Sequence, residues 1–440
     1  MVRRDCYRTM KALLLYCKYR TYDSLDTQPC NCYNLAAAIG HTCAIHYPPM
    51  KRIEFVFFDA GGGHRSAATA LKLAIESRQI PWDVQMMNLQ EELDKLDILR
   101  RLTGIRIQEA YNWMLRSGWT LGSAQVLRVL QATIWLHHKL LLKLLTKYWK
   151  KASPDMVVSF VPHFNRLMGE SFEIAFPGRP MVTVLTDLAN YFPDFWMERR
   201  EQYFICGTDL AERQALKFTG ARDRVFRASG MILHPRYYEP QTADRAAGRA
   251  ALGLRADLAT GLVLFGGYGS GTIEKIVDRL DKTTLPVQLI LICGRNEKLR
   301  ARLAARKTRM LIFVEGFTTN IPYYMHLSDF FIGKPGPGSV SEAIAMKLPV
   351  IVECNAWTLP QERYNATWVA ENQVGIAVKN FRAIVPAVEQ LLSDATLDRF
   401  RANAAALPNR AVFEIPDILK TILERNSAPD PPLAKVAECR

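Results

Sequence analysis

Short apolar runs recur along the chain from Met50 onward, and each is followed by a turn and a longer segment with helical periodicity. Apolar runs of about four to eight residues predict buried strands, and strands alternating with helices predict a parallel sheet covered on both faces. The predicted strands fall into two sets, Ile53–Phe58, Met156–Phe160, Met181–Leu185 and Tyr203–Cys206, then Gly261–Phe265, Gln288–Cys293, Met310–Val314, Asp329–Ile332 and Pro349–Glu353.

The two sets of strands predict two α/β domains, at residues 50–237 and 238–425. The Ala-, Arg- and Asp-rich stretch Tyr238–Asp257 interrupts the strand rhythm and is the expected linker, and the last helix is a candidate to pack back on the first domain. Residues 1–49 show no sustained periodicity, so we interpret them as a poorly ordered extension or as sequence preceding a true start at Met50. The proline-containing residues 426–440 predict a flexible tail.

The 440-residue chain has a globular composition, with 49% hydrophobic and 23% charged residues, which excludes collagen-like, low-complexity and intrinsically disordered proteins. No run of about 18 apolar residues occurs, so no transmembrane helix is expected. The 57 Lys and Arg residues outnumber the 43 Asp and Glu residues, and the resulting net charge of +14 favours polyanionic partners. The scattered cysteines form no disulfide framework and are typical of a reducing cytoplasm.

A glycine-rich turn, Asp-Ala-Gly-Gly-Gly-His-Arg-Ser at residues 59–66, follows the first strand and precedes a helix predicted over Ala67–Ser77. Its three glycines permit close approach of a ligand, and the helix N-terminus offers unpaired N–H groups and a positive dipole end. The alternative is an ordinary tight turn with Ser66 as the helix cap. The Gly-x-Gly-x-x-Gly spacing of a dinucleotide site is absent.

Two further turns, Gly266–Gly271 and Gly333–Ala343, also lie between a strand and a helix. The first of them suits a pyrophosphate cradle built from backbone amides, and it lacks the Gly-Lys-Ser/Thr of a P-loop. The second leads into a helix whose first turn is expected to hold Ser339, Ser341 and Glu342. A carboxylate there can accept hydrogen bonds from both hydroxyls of a ribose, and the alternative for Glu342 is a helix-capping carboxylate.

Several segments, in their order along the chain, together resemble the GT-B glycosyltransferases and, more narrowly, the monogalactosyldiacylglycerol synthase family. The resemblance implies two Rossmann-like parallel-sheet domains facing a cleft, with a UDP-sugar on the C-terminal domain and a lipid acceptor at the N-terminal domain. The segments are Asp59–Arg65, Thr186-Asp187-Leu188, Gly316–Asn320, Gly333–Pro349 and Pro360-Gln361-Glu362.

The resemblance also implies roles for individual residues. It places Phe317 by the uracil and Glu342 on the ribose, and it assigns the sugar hydroxyls to Gln361 and Glu362 with help from Asn365. The implied donor residues are Gly267, Tyr268, Gly269, Ser270, Phe317, Lys334, Gly338, Ser339, Glu342, Gln361, Glu362 and Asn365, and the acceptor-side loop is Gly61, Gly62, Gly63 and Arg65.

The acceptor hydroxyl needs a base, and the resemblance implies that His64 and Asp187 lie at the acceptor side of the cleft. A histidine with an unperturbed pKa near 6.5 suits general base catalysis at neutral pH, whereas Asp187 is the rival base or the group that orients the histidine. Amide N–H groups and a helix dipole can stabilise the UDP leaving group. We expect one-step inverting displacement without a cofactor. No metal site is expected, because the chain contains no Asp-x-Asp motif.

From Arg100 to Lys151 the chain carries ten Lys or Arg residues but one acid, Glu109. A basic helix face opposite an apolar face suits an anionic membrane surface, and the alternative is a core-packed helix with a solvated basic face. Trp119, in the loop Leu115–Ser123, and Trp113 are the predicted lipid contacts. No nucleic-acid-binding motif accompanies the positive charge, so nucleic acid is not an expected partner.

The sequence therefore predicts a hexosyltransferase that moves galactose or glucose from a UDP-sugar to a membrane lipid, most simply 1,2-diacylglycerol. One alternative is a UDP-N-acetylglucosamine-dependent transferase acting on a lipid-linked or lipid A-type acceptor, and another is a UDP-sugar epimerase. Phe192 stands where plant-type members of the family carry a histidine, which leaves the exact sugar and acceptor open. The expected location is cytoplasmic, peripheral on the inner face of the cell membrane.

Overall fold

The computed structural model describes residues 50–59, 62–94, 123–190, 195–198, 200, 202–393 and 395–426. The predicted extension at 1–49 and the predicted tail beyond Asn426 lie outside these residues. The described chain forms two six-stranded sheets in which every strand pair is parallel. No helix within the described ranges combines the length and the apolar content that crossing a bilayer requires.

The first sheet has the strand order β2-β1-β3-β4-β5-β6, and the second has the order β12-β11-β10-β7-β8-β9. The strands are β1 Lys51–Phe57, β2 Trp82–Asn88, β3 Met156–Ser159, β4 Met181–Val184, β5 Tyr203–Cys206, β6 Val225–Arg227, β7 Ala259–Leu264, β8 Val287–Ile292, β9 Ile312–Glu315, β10 Phe330–Gly333, β11 Val350–Glu353 and β12 Gly375–Val378.

Helices provide most of the crossover connections that parallel pairing needs, whereas the described residues between β4 and β5 form no helix. The α-helices are α1 Gly63–Ser77, α2 Leu89–Asp94, α3 Ser123–Leu136, α4 His138–Ala152, α5 Asn165–Ala175, α6 Asp209–Thr219, α7 Arg245–Ala251, α8 Thr272–Leu280, α9 Glu297–Ala304, α10 Ile321–Leu327, α11 Pro337–Ala345, α12 Arg363–Glu371, α13 Ile384–Leu392, α14 Thr396–Ala405 and α15 Ala411–Asn426. Short 3-10 helices occupy Arg222–Arg224, Pro235–Tyr238, Pro360–Glu362 and Phe381–Ala383.

Every predicted strand overlaps an observed strand, with ends that differ by up to two residues, but β2, β6 and β12 were not predicted from the apolar pattern. These three lie at sheet edges, where one side of the strand has no neighbouring strand. An edge position tolerates polar residues, and β2 and β6 carry them, so neither forms a continuous apolar run. The edge strand β9 does contain an apolar run and was predicted, so an edge position alone does not hide a strand.

Helices complete the core of each sheet. Ile415, Leu419 and Ile422 of α15 are buried in the same cluster as Phe55 of β1 and Leu71 of α1, so the last described helix packs on the first sheet. Fully burying one such side chain stabilises the fold by about 1.5–3 kcal/mol.

The stretch Tyr238–Asp257 is not a simple linker, because it contains α7. Arg249 of α7 is buried, and its guanidinium donates to the carboxylate of Asp329 at 2.7 Å. A buried arginine needs such a partner, since its uncompensated burial would cost several kcal/mol. The stretch lies between β6 of the first sheet and β7 of the second, as a linker would, but it is a packed segment with a helix of its own.

Candidate active site

The carboxyl end of the first sheet brings the two predicted base candidates together. His64 lies in the first turn of α1, just after β1, and Asp187 follows the end of β4. β3 lies between β1 and β4 in the sheet. Ligands of open α/β sheets bind at this edge, because the loops that follow parallel strands meet there.

The turn before α1 differs in detail from the sequence expectation. The helix begins at Gly63 rather than Ala67, so His64 and Arg65 belong to its first turn. Gly62 has a φ of 83°, which a residue with a side chain rarely adopts. Arg65 forms an ion pair with Asp59 and lies 5.0 Å from the centroid of the Phe57 ring. Gly61 of the predicted acceptor-side loop lies outside the described residues.

His64 is held as a neutral imidazole. Its Nδ1 lies 3.0 Å from the Thr186 hydroxyl, and its ring lies 5.9 Å from the Trp196 ring between centroids. Burial lowers the pKa of His64 to about 4, although a hydrogen bond with the backbone of Phe160 raises it. At neutral pH this histidine is a positioned but weak base.

The pKa of Asp187 is shifted in the opposite direction from that of His64, upward rather than downward. The side chain is buried, and its Oδ2 accepts a hydrogen bond from the Trp196 indole N–H at 2.9 Å. Burial raises the pKa of Asp187 to about 7, the Trp196 hydrogen bond and Lys334 lower it, and Glu362 raises it. A carboxyl group that titrates near neutral pH is well matched to general base catalysis.

Lys334 and Glu362 follow strands of the second sheet and are near enough to Asp187 to affect its pKa. Lys334 follows β10, and its Nζ lies 3.2 Å from Oε1 of Glu362, which is itself buried. Both side chains act electrostatically on Asp187, so groups of the two sheets share one charged centre. The Lys334 ammonium is thus paired, although 39% of its side chain is exposed.

The turn between β7 and α8 has the shape of an anion cradle. Gly269 has a φ of 64°, and a Cβ there would lie 2.2 Å from the carbonyl oxygen of Cys293, so a side chain is excluded. Nothing lies within 4 Å of a Cβ at Gly267, which leaves that side of the turn open. The Ser270 hydroxyl accepts a hydrogen bond from the Thr272 amide at 3.2 Å. Of the predicted donor residues, Gly267, Tyr268, Gly269 and Ser270 all lie in this turn.

The turn after β10 positions Glu342 one turn deeper than expected. Helix α11 begins at Pro337, so Gly338 and Ser339 lie in its first turn and Glu342 lies beyond it. The helix-capping alternative is therefore wrong, because no acidic residue occupies that first turn. Burial raises the pKa of Glu342, whereas a hydrogen bond from the Tyr237 phenol and the charge of Arg236 lower it.

The segment Pro360–Glu362 and the start of α12 carry the remaining donor candidates. Gln361 and Asn365 are buried, and the Asn365 amide donates to the carbonyl of Pro335 at 2.7 Å. Asn365 thus fixes the turn that holds Lys334. Within the described part of the chain, Oε1 of Gln361 and Oδ1 of Asn365 are buried without a hydrogen-bond partner. Unpartnered buried oxygens suit a site that binds hydroxyl donors.

Comparison with known proteins agrees with this arrangement. The glycosyltransferase family 28 C-terminal domain matches residues 262–422. Monogalactosyldiacylglycerol synthase 1, chloroplastic, of Arabidopsis thaliana is 26% identical over 405 residues, covering 86% of this chain and 72% of its own length. A probable monogalactosyldiacylglycerol synthase, chloroplastic, of Glycine max is 28% identical over 404 residues, covering 86% and 73%. The crystal structure of Acinetobacter baumannii MurG has the same fold, with a TM-score of 0.57 at 14% identity, covering 84% of this chain and 99% of MurG.

The chain has the two-domain GT-B fold, carries a glycosyltransferase family 28 C-terminal domain and is similar to the monogalactosyldiacylglycerol synthases. The predicted fold class, family resemblance and hexosyltransferase class are confirmed. The individual residue roles stay predictions.

Two residues of this glycosyltransferase that the sequence did not single out lie beside predicted ones. The guanidinium of Arg295 lies 4.6 Å from the centroid of the Phe317 ring, and 53% of Phe317 is exposed. The Arg295 amide donates to the carbonyl of Gly267 at 2.9 Å, which ties the loop after β8 to the anion cradle. The second missed residue is Trp196, which contacts both base candidates. A Cys-Gly-Arg-Asn tract directly after β8 was the available sequence signal for Arg295.

The glycosyltransferase exposes apolar side chains where α3 meets α4. Trp135 is 75% exposed and Leu136 is 72% exposed, whereas Leu141, Leu145 and Trp149 of α4 are buried. The core-packed alternative is thus confirmed for the apolar face of α4, whose lysines are solvated. The predicted lipid contacts Trp113 and Trp119 lie outside the described residues.

Proposed function

We propose that this glycosyltransferase moves a hexose, galactose or glucose, from a UDP-sugar to the free hydroxyl of 1,2-diacylglycerol in a membrane. The observation that carries the proposal is the shared charged centre, in which the paired Lys334 and Glu362 of the second sheet act electrostatically on Asp187 of the first. An acceptor bound at one side and a donor bound at the other would meet there. The similarity to monogalactosyldiacylglycerol synthases supports the choice of sugar and lipid.

The proposed reaction is a single displacement. The acceptor oxygen forms a bond to C1 of the sugar, the bond from C1 to the diphosphate oxygen breaks, and UDP leaves with the electron pair. The acceptor proton passes to Asp187, whose pKa of about 7 supports this role better than the pKa of about 4 of His64. His64 then orients Thr186 and the acceptor rather than accepting the proton.

The charge that develops on UDP is stabilised by groups of the second sheet. The amides of the anion cradle and the N-terminus of α11 favour negative charge, and Lys334 supplies a cation beside them. These groups support transfer without a metal ion. Tyr268, Gly338 and Ser339 complete the proposed diphosphate contacts.

UDP release tests this proposal directly. Purified protein is mixed with UDP-galactose, UDP-glucose or UDP-N-acetylglucosamine, each with and without diacylglycerol in anionic vesicles, in the presence of EDTA. We expect release that requires one hexose donor together with diacylglycerol. Release that is fastest with UDP-N-acetylglucosamine and independent of diacylglycerol would contradict the proposal, and interconversion of the UDP-sugars without release would identify an epimerase.

We also propose that the exposed apolar residues at the junction of α3 and α4 contact an anionic membrane. Lys139 and Lys143 of α4 are exposed, and they follow Trp135 of α3 by four and eight residues in the chain. Apolar and cationic side chains are therefore both exposed near the junction of α3 and α4. Interfacial tryptophan and surface lysines are the groups that bind such a membrane. Binding there would bring the active site to its lipid acceptor from the cytoplasmic face.

Replacing Trp135 and Leu136 with serine is expected to weaken binding to anionic vesicles at least about tenfold, because two large apolar side chains no longer leave water on binding. Vesicle sedimentation measures the partition coefficient. The matched control is the double serine variant of Trp357 and Leu311, two exposed apolar residues of the second domain. If both double variants lost vesicle binding equally, the junction of α3 and α4 would not be the membrane contact.

A further inference from the structure

Trp196 is fixed at more points than packing alone requires. The side chain is fully buried. Its backbone N–H donates to Oδ1 of Asn190 at 3.0 Å, and its carbonyl accepts from Nδ2 of Asn165 at 3.1 Å. Its indole N–H donates to Oδ2 of Asp187. The backbone N–H, the backbone carbonyl and the indole N–H of Trp196 thus each have a defined hydrogen-bond partner.

The partners of Trp196 are themselves anchored. The Asn190 backbone exchanges two hydrogen bonds with the side chain of Gln214 in α6, at 2.8 and 3.0 Å. Asn165 is the first residue of α5 and is fully buried. These contacts tie Trp196 to α5 directly and to α6 through Asn190. Rigid support of this kind holds a functional group within a few tenths of an ångström.

The neighbouring Phe195 is held by the loop that follows β3. The His163 backbone N–H donates to the Phe195 carbonyl at 2.7 Å, and the two rings lie edge to face with centroids 4.5 Å apart. His163 has a φ of 67°, which is strained for a residue with a side chain. Strained backbone persists where the surrounding structure enforces it, and such places cluster at functional sites.

We propose that Trp196 is a positioning residue for Asp187, keeping an N–H donor on one carboxylate oxygen and so setting the pH range in which Asp187 accepts the proton of the acceptor. This inference rests on the proposed function. Trp196 bonds Oδ2 of Asp187, and no hydrogen bond from another described residue reaches Oδ1, the oxygen that the proposed role assigns to the acceptor. The other charged or titratable groups facing Asp187 are Glu362 and Lys334, with His64 beyond Thr186.

The sign of the effect follows from the direction of the hydrogen bond. An N–H that donates to a carboxylate stabilises the charged form and lowers its pKa. Removing that donor from Asp187 raises its pKa further above the value of ordinary aspartate. Because proton acceptance needs the carboxylate, the acid limb of the pH profile must then move to higher pH.

The test is Trp196→Phe, which keeps an aromatic ring and removes the N–H. We expect the acid limb of kcat/KM to move up by about one pH unit, since a hydrogen bond to a charged group has about that effect on a pKa. The matched control is Trp149→Phe. Trp149 is also fully buried and donates its N–H to the Ser171 hydroxyl at 2.8 Å, so its replacement should leave the limb in place.

A readout that does not depend on turnover separates this inference from the proposed function. The carboxyl resonance of Asp187, identified in ¹³C-aspartate-labelled protein by its loss in Asp187→Asn, reports the pKa directly. We expect that pKa to rise in Trp196→Phe and to rise less in Asn165→Leu, which only loosens the Trp196 carbonyl. If the wild type transferred no sugar but the pKa of Asp187 still rose in Trp196→Phe, the proposed reaction would be refuted and the inference about Trp196 would stand.

An unchanged Asp187 titration in folded Trp196→Phe or Asn165→Leu protein would overturn the inference. The inference would also fail if activity fell equally at every pH, because a merely structural tryptophan would lower the amount of competent enzyme without moving the limb. Should Trp196→Phe fail to fold, Asn165→Leu and its titration decide the question.

Discussion

Replacing Asp187 with asparagine is expected to lower kcat/KM for lipid glycosylation by about 10³-fold, which is within the range that a positioned base contributes. Asparagine has nearly the same shape and still accepts the Trp196 hydrogen bond, so the loss reports the missing proton acceptor. Binding of UDP, measured by calorimetry, should be unchanged because the donor residues lie on the second sheet. A variant with nearly full activity would exclude Asp187 as the base.

His64→Gln is the control for this experiment. With a pKa of about 4, His64 is a poor proton acceptor at neutral pH, and its Nδ1 contact with Thr186 indicates a positioning role. Glutamine can retain one hydrogen bond, so we expect a loss of about tenfold, as for one neutral hydrogen bond. A larger loss of kcat/KM for His64→Gln than for Asp187→Asn would make His64 the base and Asp187 the positioning residue.

The Asp187→Asn variant should also be more stable than the wild type above neutral pH. The folded-state pKa of Asp187 is raised from 3.8 to about 7, so the carboxylate destabilises the fold increasingly as pH rises from 3.8 to about 7. Asparagine removes this penalty, which amounts to about 4 kcal/mol above pH 7 at 1.36 kcal/mol for each pKa unit. Chemical denaturation at pH 5 and pH 8 measures it, and the stability gain should be larger at pH 8.

Local features of the active site followed from the sequence. Each glycine-rich turn was correctly placed between an apolar strand and a helix. The apolar run, the turn and the periodic segment follow one another in the chain, so their arrangement depends mainly on residues that are close in sequence. Helix starts were less well predicted. Helix α1 begins at Gly63 and α11 at Pro337, both earlier than the apolar periodicity suggested, because the first turn of a helix needs no apolar residue.

Contacts between distant segments did not follow from the sequence. The Trp196 hydrogen bond to Asp187, the Tyr237 contact with Glu342 and the pairing of Lys334 with Glu362 depend on the path of the chain over two sheets. The pKa values of His64 and Asp187 depend on burial, which the residue types alone do not specify. The choice between two bases was therefore open in the sequence, and only the surroundings of the two side chains favour Asp187.

Glu342→Gln is expected to weaken the binding of UDP by about 10²-fold. The proposed role of this carboxylate is to accept hydrogen bonds from both ribose hydroxyls, and two hydrogen bonds to a charged acceptor together account for a loss of about that size. Glutamine is similar in size and can still accept from Tyr237, so the fold of α11 should persist. Calorimetry without acceptor measures the dissociation constant independently of catalysis.

The ligand offers a matched control for Glu342. Wild-type protein should bind 2′-deoxy-UDP more weakly than UDP, whereas Glu342→Gln should bind the two with nearly equal, weakened affinity. Tyr237→Phe, which removes only the phenol that orients Glu342, should lose less than about tenfold in UDP affinity and keep the preference for UDP, because the charged acceptor remains. If Glu342→Gln discriminated between the two nucleotides as strongly as the wild type, the ribose would have to be bound by other residues.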